Sequence, residues 1–447
     1  MKSKQDILTE VRDKNIELIR FVYIDNDGVI RSYATTPAEL EGDLDSGHPY
    51  SIAMPFFSVL DDLVPDTRFG CVGELAAVPD LETFRVLPHA PGQAMLICDF
   101  RNKGDHTASE LCARSLLRRF LNGLDYEVKA AFENEFYLLR KNEYGTYTPF
   151  DDSRCFSTSG MNKHHEVIMD MVRTLQAEGL GVEKYYPEYG RGQVEVVCRY
   201  NEAFRAADDQ VFFRETVRGV ANNHGLIASF MPKPFQELAG SGAHIHLSLW
   251  QGGRSRFYDP DDENNLSKTA KHFIGGLLRR LPSLCAFTAS TVNSYKRLVP
   301  HSWASAYVCY GRDNREAAIR LITPIKGKGE DTFNLEFKPN DSACNPYLAM
   351  LAVLAAGMDG IRNEIEPGPP VDGDPHDLGQ EERRRRGIRR FPQTLGEAAD
   401  ELEGDDLFKK ILGDVFVDEY IKLKRFAWTR YAQHVSDWER AAYTEAF

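Results

Sequence analysis

The sequence lacks the cysteine patterns that mark disulfide-rich proteins and zinc sites. Its 447 residues include eight scattered cysteines, and no two of them form a CxxC pair. This argues against a disulfide framework or a cysteine-bound zinc ion, and we expect buried thiols in a reducing compartment. The polar N-terminus resembles neither a signal peptide nor a membrane anchor. The cytoplasm is therefore the expected location.

Long apolar runs and basic stripes are also scarce. The longest apolar stretch, Leu348 to Met358, is too short to cross a bilayer. The net charge is -13, and the one basic run, Arg383 to Arg386, follows two glutamates in a polar loop. We therefore expect neither nucleic acid nor an anionic membrane as a partner.

What is present indicates a large α+β protein with two domains. With 42% hydrophobic and 27% charged residues, the chain can bury a large core. Short strands fill the first hundred residues, starting with two strands around the turn Asn26 to Gly28. The segment from Leu44 to Asp66 is predicted to be a long irregular loop, of a kind that is often functional. We expect a β-rich domain over residues 1–104 and a larger domain over 105–447.

The stretch AGSGAHIHLSLW, residues 239–250, is a candidate functional strand. His244 and His246 are two residues apart, so both side chains point to the same face of an extended segment. Gly240 and Gly242 ahead of them let the backbone approach a ligand. An ordinary strand with two hydrogen-bonded histidines would give the same pattern, so carboxylates elsewhere must decide between these interpretations.

Five glutamates supply candidate carboxylates: Glu133, Glu135, Glu188, Glu195 and Glu336. The first two alternate with aromatic residues on a predicted strand over residues 128–140 and share one face. The next two flank a glycine-rich turn, and the last lies between Leu335 and Phe337. Side by side on half-buried strands, carboxylates destabilise the fold unless a cation lies between them. An exposed strand edge and a solvated hairpin are the alternatives for the two pairs.

Carboxylates together with an imidazole on separate strands suit Mg²⁺ or Mn²⁺, which prefer oxygen ligands, whereas zinc would require more His or Cys. Two such ions close together are typical of phosphoryl transfer. Arg297, Arg315 and Arg320 are candidate clamps for phosphate or carboxylate groups. Taken singly, each arginine would more often belong to a surface salt bridge.

Six motifs together are similar to the glutamine synthetase superfamily: GSGAHIHLSLW, MPKP, ENEF, NSYKRL, NREAAIRL and NPYLA. The resemblance covers nearly the whole chain. It implies a β-grasp N-terminal domain and a catalytic domain on a curved antiparallel sheet with flanking helices. It also implies a ring-shaped homo-oligomer, a dodecamer, with active sites between neighbouring subunits. The implied reaction is ATP-dependent phosphorylation of the γ-carboxyl of glutamate, followed by attack of an amine.

The resemblance also implies roles for individual residues. One metal ion would be bound by Glu135, Glu188 and Glu195, and the second by Glu133, His244 and Glu336. The side chains expected at ATP are His246, Ser248, Arg315 and Arg320. Contacts with glutamate are implied for Gly240 and Arg297. Arg315, Glu188 and Trp303 form the predicted catalytic group.

Departures from the family pattern concern the amine. A glutamine synthetase has a proton-accepting Glu in the loop after NSYKRL, where this chain has Trp303. The ammonium-binding Asp of the neighbouring subunit is also missing, and His48 and Tyr50 lie in the corresponding run. An aromatic site suits an organic amine better than ammonium. Because no acid is evident there, a polyamine is disfavoured.

Two further departures concern the acid substrate and regulation. Ala239 replaces an expected Asn, and Lys338 replaces an Arg, which keeps the charge but loses the bidentate fork. No tyrosine loop is present near Asp372 to Leu395, so adenylylation is not expected. The sequence thus predicts a carbon-nitrogen ligase that joins glutamate to an organic amine. A true glutamine synthetase and a non-catalytic assembly protein of the same fold are the alternatives.

Overall fold

The computed structural model describes residues 2–447 and contains two β-sheets surrounded by helices. The strands are β1 (Leu18–Ile24), β2 (Ile30–Thr35), β3 (His48–Ser51), β4 (Glu74–Pro79), β5 (Arg85–Val86), β6 (Gln93–Asn102), β7 (Glu127–Lys141), β8 (Tyr147–Pro149), β9 (Val182–Pro187), β10 (Gln193–Cys198), β11 (Asn201–Glu202), β12 (Ile227–Ser229), β13 (Ala243–Gln251), β14 (Arg254–Ser255), β15 (Tyr310–Arg312), β16 (Ile319–Leu321) and β17 (Leu335–Phe337).

The α-helices lie mainly in the second half of the chain. They are α1 (Lys4–Asp13), α2 (Leu40–Ser46), α3 (Ala113–Asn122), α4 (Thr158–Ala177), α5 (Ala203–Asn223), α6 (Lys268–Thr288), α7 (Gly329–Thr332), α8 (Pro346–Arg362), α9 (Gln380–Arg385), α10 (Leu395–Glu403), α11 (Asp406–Leu412), α12 (Asp414–Ala432) and α13 (Asp437–Tyr443). Among residues 2–447, no helix is both long and apolar enough to cross a membrane.

The N-terminal sheet has the order β2-β1-β6-β4-β3, with β5 beside β6. The predicted hairpin is confirmed, because β1 and β2 pair antiparallel around the turn at residues 25–29. Gly28 in this turn has φ +95°, and a Cβ there would lie 2.0 Å from the carbonyl oxygen of Ala343. The turn therefore requires glycine both for its backbone conformation and for close packing against the larger domain.

The prediction of an irregular loop from Leu44 to Asp66 was wrong in its first part. This segment contains the end of α2, all of β3 and a 3₁₀ turn at Met54–Phe56. Strand β3 is only four residues long, and it pairs with β4 more than twenty residues further along the chain. Such a short strand leaves too little alternation to be seen in the sequence, and its distant partner decides its structure.

The larger sheet has the order β15-β16-β17-β13-β7-β10-β9, with four short strands paired beside this path. Its pairs are antiparallel, as expected, except that β15 and β16 run parallel. The long strand β7 is central and pairs with both β10 and β13. The division of the chain between residues 104 and 105 stays a prediction.

Helix α8 forms the centre of the core behind this sheet. Asn345 caps its first turn, with its side chain accepting hydrogen bonds from Tyr347 N and Leu348 N, and Pro346 occupies the first helical position, as predicted. The helix is buried over nearly its whole length and packs against α6. The long α12 attaches to the N-terminal hairpin through Lys424, which is fully buried 2.5 Å from Asp27.

A buried arginine joins the two halves of the molecule. Arg114 on α3 is 3% exposed and pairs with Asp80 at 2.8 Å and Asp99 at 3.0 Å, both in the N-terminal part. Its Nε also lies 2.8 Å from Asp208 on α5. Arg118 also pairs with Asp80 at 2.9 Å and with Asp99 at 2.6 Å. Among the described residues, Arg114 is thus the only cationic partner of Asp208, and a buried ionised group without such a partner is strongly destabilising.

We predict that Arg114→Ala lowers the free energy of unfolding by about 3–5 kcal/mol, because it leaves the buried Asp208 without a cationic partner. Equilibrium denaturation at a fixed protein concentration measures the change. The control is Arg119→Ala on the same helix, where the side chain is exposed and we expect a change within about 0.5 kcal/mol. Equal effects of the two substitutions would contradict this role of Arg114.

Candidate active site

Strand register places five of the six predicted metal ligands on one face of the larger sheet, and the sixth, Glu188, follows β9 directly. His244 on β13 lies opposite Glu133 on β7, and Glu195 on β10 lies opposite Glu135 on β7. Directly opposed residues point to the same face. The other face of β7, which carries Phe132 and its alternate neighbours, is buried in the core. Glu133 and Glu135 thus share the half-buried face of β7, opposite the aromatic residues, as predicted from the alternation.

One group of possible ligand atoms is closely gathered. Atoms of Glu133, His246 and Glu336 lie within 4.8 Å of one another. His246 Nε2 is 2.7 Å from Glu133 Oε2, and its Nδ1 is 2.9 Å from Asn334 Oδ1. The second histidine of the strand was predicted to face ATP, yet here it contacts a predicted metal ligand.

Cations surround Glu336, which is 1% exposed. Arg320 Nη1 donates to Glu336 Oε2 at 2.6 Å, and Lys338 Nζ lies 3.3 Å from Oε1. Burial opposes ionisation of Glu336, but Lys338 and then His244 keep its pKa well below the ordinary value. Arg320, which was predicted at the nucleotide, and Lys338, which was predicted at glutamate, therefore both pair with a predicted metal ligand in this structure.

His244 was the imidazole predicted to bind metal. Its Nδ1 lies 3.0 Å from Glu336 Oε1 but forms no hydrogen bond with any of the described residues, although it is buried. A buried nitrogen without a hydrogen-bond partner is costly. This orphaned atom beside a carboxylate fits a metal ligand, and the assignment of His244 to a metal stays a prediction.

Each of the three carboxylates predicted to bind the other metal ion accepts a hydrogen bond of its own. Glu135 Oε2 accepts a 2.8 Å hydrogen bond from Gly242 N, and Glu188 Oε2 accepts one of 2.7 Å from Tyr189 N. Glu195 accepts a hydrogen bond from the Tyr186 hydroxyl. Within residues 2–447, these three carboxylates are not gathered as closely as the group around Glu336.

Electrostatic repulsion nevertheless couples them. Burial and then the charge of Glu135 raise the pKa of Glu188 to about 7. Burial and the charges of Glu133 and Glu135 raise the pKa of Glu195 far above its ordinary value. Burial also opposes ionisation of Glu133, yet the hydrogen bond with His246 lowers its pKa. A cation between the carboxylates would relieve this repulsion.

The donor set fits hard divalent cations. Five carboxylates and one or two imidazoles on one face supply oxygen ligands of the kind that Mg²⁺ and Mn²⁺ prefer. Bound cations would coordinate the unpartnered His244 Nδ1 and offset the mutual repulsion of the glutamates. Tyr186 was missed by sequence reasoning, because no spacing rule ties a tyrosine on β9 to a carboxylate on β10.

A second group lies where β13 begins. Arg297 is buried, and its Nη2 donates to the carbonyl oxygens of Lys338 and Asn340 at 3.3 and 3.0 Å. A Cβ on Gly240 would lie 2.4 Å from Arg297 Cγ, so this position tolerates only glycine. Arg297 Nε has no hydrogen-bond partner among the described residues. The structure thus brings together Gly240 and Arg297, which were both predicted to contact glutamate.

The loop that carries Trp303 lies against Arg315. The Trp303 ring is 64% exposed, and the guanidinium carbon of Arg315 is 5.6 Å from its centroid. The backbone N of Trp303 donates a 2.8 Å hydrogen bond to Glu316 Oε1. Asp374 approaches the same loop, 2.8 Å from His301 Nδ1. The expectation that no acid lies near Trp303 was therefore wrong, because both acids come from other segments.

Three predicted site residues lie elsewhere. Ser248 accepts a 2.9 Å hydrogen bond from Trp250 Nε1, further along β13. His48 and Tyr50 are on β3 of the N-terminal sheet, where His48 stacks on Tyr33 with ring centroids 4.1 Å apart. His48 and Tyr50 were predicted to contact the amine, and they would do so in the active site of a neighbouring subunit.

Comparison with known proteins agrees with this geometry. The sequence profile of the glutamine synthetase N-terminal domain matches residues 4–106, and that of the glutamine synthetase catalytic domain matches residues 110–443. The chain belongs to the glutamine synthetase family. The two sheets with their flanking helices are the fold of that family.

Relatives with different activities are similarly distant. Glutamine synthetase of Thermotoga maritima is 34% identical over 97% of both chains. Glutamate–methylamine ligase of Methyloversatilis universalis is 37% identical over 83% of this chain and 85% of its own length. The solved structure described as "GmaS/ADP complex-Conformation 1" has a TM-score of 0.85 at 29% identity, covering 98% of this chain and 99% of that one.

This glutamine synthetase family member is therefore a carbon-nitrogen ligase. Enzymes of the family use ATP and divalent metal ions, and they act on glutamate together with ammonia or an amine. These relatives alone do not distinguish ammonia from an organic amine as the nitrogen donor, so the residues at the site must decide.

We predict that Glu135→Ala abolishes Mg²⁺-dependent ADP release and leaves the assembly intact. The loss should be at least about 100-fold, since even outer-shell partners of a metal contribute up to that factor. ADP release and sedimentation velocity measure the two properties. Glu127→Ala, at an exposed position of the same strand, should keep both. Retained turnover in Glu135→Ala would exclude this carboxylate as a metal ligand.

Proposed function

We propose that this protein is a glutamate-amine ligase. It uses ATP to phosphorylate the γ-carboxyl of glutamate and condenses the acyl phosphate with an organic amine, giving a γ-glutamyl amide, ADP and phosphate. The observation that carries the proposal is Trp303. An exposed indole lies beside Arg315 in the loop where a glutamine synthetase has its Glu.

The indole supports an organic amine on physical grounds. Ammonium is small and strongly hydrated, and its binding requires carboxylates in place of water. An alkyl or aryl amine brings apolar surface, which a tryptophan covers favourably, while the ring face attracts the positive charge. The similarity to a glutamate–methylamine ligase over most of the chain also supports this nitrogen donor.

Arg297 and Gly240 are the proposed contacts of the glutamate substrate. Arg297 Nε is free of hydrogen bonds to the described residues, so this buried guanidinium still has a donor for a carboxylate. Lys338 supplies a second positive charge close by, although it is paired with Glu336 at 3.3 Å. Lys lacks the bidentate fork of Arg, so we assign the acid as glutamate or a close analogue.

The proposed metal ligands are Glu135, Glu188 and Glu195 for one ion and Glu133, His244 and Glu336 for the other. Bound Mg²⁺ or Mn²⁺ would neutralise the phosphate charge of ATP. Arg315, beside Trp303, would neutralise the charge that develops on the transferred phosphoryl group. His246, Ser248 and Arg320 are the proposed contacts on the nucleotide side.

We also propose a ring-shaped homo-oligomer, a dodecamer, in which His48 and Tyr50 reach the active site of a neighbouring subunit. Both rings lie on the edge strand β3, where a second chain can approach them. The proposed location is the cytoplasm. All eight cysteines are free, and five of them are buried, which supports a reducing compartment.

A true glutamine synthetase is the second candidate. The similarity to the Thermotoga maritima glutamine synthetase over 97% of both chains favours it. It would use ammonium, for which Trp303 offers no carboxylate. A non-catalytic assembly protein of the same fold is the third candidate, and the six ligand residues of the expected types argue against it.

We predict that ADP release with glutamate is at least about tenfold faster with an organic amine than with ammonium at equal concentration, since the indole discriminates by about 1.4 kcal/mol or more. A coupled ADP assay with a panel of amines checks this. Equal or faster turnover with ammonium would support a true glutamine synthetase. Absence of Mg²⁺-dependent ADP release with every amine would support a non-catalytic protein.

Trp303→Ala should raise KM for the organic amine about tenfold and leave KM for glutamate unchanged, because the lost indole contact is of the order of 1–2 kcal/mol. Steady-state kinetics with each substrate varied separately measures this. Trp438→Ala is a matched control, since that ring is 67% exposed on α13. An unchanged KM for the amine in Trp303→Ala would remove the main support for the proposal.

A further inference from the structure

Glu316 is a buried carboxylate that contacts the Trp303 loop. It follows Arg315 directly and is 8% exposed. One oxygen, Oε1, accepts the 2.8 Å hydrogen bond from Trp303 N. The other oxygen, Oε2, accepts no hydrogen bond from the described residues, and it is not fully buried. It therefore remains open to a ligand.

The loop above it has a strained backbone. His301, Trp303 and Ser305 have φ values of +60°, +55° and +74°. Such left-handed conformations in non-glycine residues persist only where the surroundings hold them. The hydrogen bond from Trp303 N to Glu316 and a 2.7 Å bond from Ser305 Oγ to Ala317 O hold this loop. This structural role uses only one oxygen of Glu316.

The charges of groups in three segments act on Glu316. These groups are His301 in the Trp303 loop, Asp374 in the segment after α8, and Lys338 directly after β17. Burial raises the pKa of Glu316, the Trp303 amide opposes this, and Asp374 adds to it, while His301 and Lys338 lower the pKa. The net shift is upward, which makes Glu316 a stronger base than an exposed glutamate.

The reaction needs such a base. An alkylamine is an ammonium ion at neutral pH and has no lone pair with which to attack a carbonyl carbon. It must lose one proton beside the acyl phosphate, close to Arg315 and the proposed glutamate contact Lys338. Glu316 contacts the backbone of the loop whose indole lies beside Arg315, and the charge of Lys338 acts on it, so it borders the region in which the two substrates would meet.

We propose that Glu316 accepts the proton of the incoming ammonium group. This inference rests on the proposed amine ligase function. Asp374 is less suitable, because its two oxygens are already engaged, one with His301 Nδ1 at 2.8 Å and one with His376 N at 2.8 Å. The carboxylates of the large sheet are the proposed metal ligands and are not available for this role.

The proton and electron balance of the step is simple. The ammonium gives one proton to the Glu316 carboxylate, and the freed nitrogen lone pair forms a bond to the γ-carbonyl carbon. The bond from that carbon to the phosphate oxygen breaks, and phosphate leaves with the bonding electrons. The nitrogen loses its second proton to the leaving phosphate, and Glu316 then releases its proton to solvent.

Two nucleophiles distinguish this role from a purely structural one. Methylamine is protonated at neutral pH, whereas hydroxylamine is largely unprotonated and needs no base. Glu316→Gln retains an oxygen for the Trp303 amide but cannot accept a proton. We expect kcat/KM for methylamine to fall about 100-fold and that for hydroxylamine to stay within about threefold. ADP release with glutamate alone, which reports acyl phosphate formation, should be unchanged.

The pH profile gives an independent readout. Wild-type kcat/KM for methylamine should fall as the pH drops through the pKa of Glu316, because the protonated acid cannot accept a proton. In Glu316→Gln this dependence on Glu316 is lost, and the residual rate should follow the concentration of free amine as the pH rises. Glu166→Gln, at an exposed position of α4, is the control and should behave as wild type.

Each outcome decides between the roles. Full methylamine activity in Glu316→Gln, or equal loss with both nucleophiles, would overturn the proposal and leave Glu316 as a support of the Trp303 loop. If the wild-type enzyme prefers ammonium, the amine ligase function fails. The role of Glu316 is then tested by comparing ammonium, in place of methylamine, with hydroxylamine. Failure of the proposed function and failure of the Glu316 role are thereby separated.

Discussion

Mutual repulsion of carboxylates on one face of the large sheet is the constraint on which the site depends. Adjacent strands place them side by side, and burial raises the pKa of Glu188 and Glu195. The strands can hold this arrangement because their opposite face is packed into the core through Phe132 and Phe136. Cations must balance the charge, and Arg320 and His246 do so in part. The same unbalanced charge makes the face suitable for divalent ions.

In the proposed function, the loop at residues 300–305 distinguishes this family member from a glutamine synthetase. An indole occupies the outer position, while a carboxylate approaches the loop backbone from the adjacent segment at Glu316. Acidic and apolar functions are thus separated between two residues. For an organic amine this separation is advantageous, because one residue can cover the apolar group while the other accepts a proton. For ammonium, the indole would contribute little.

Sequence reasoning was most accurate where local pattern and structure coincide. Alternation on β7 placed Glu133 and Glu135 on one face, and the Asn345-Pro346 start of α8 followed from capping preferences. It was least accurate where distant pairing decides the outcome, as for β3, which needs β4 to form. The contact between Glu316 and Trp303 joins residues thirteen apart through a loop with left-handed backbone, which no periodicity reveals.

The sequence by itself determined the family, the fold class and the residue types of the site, because motifs and alternation are local properties of the chain. Only the tertiary structure decided which groups are in contact. It placed His246 on Glu133 and left His244 Nδ1 without a hydrogen-bond partner among the described residues. It also brought Glu316 and Asp374 to the Trp303 loop. Such contacts depend on strand register and loop packing between distant segments, which are settled only when the whole core forms.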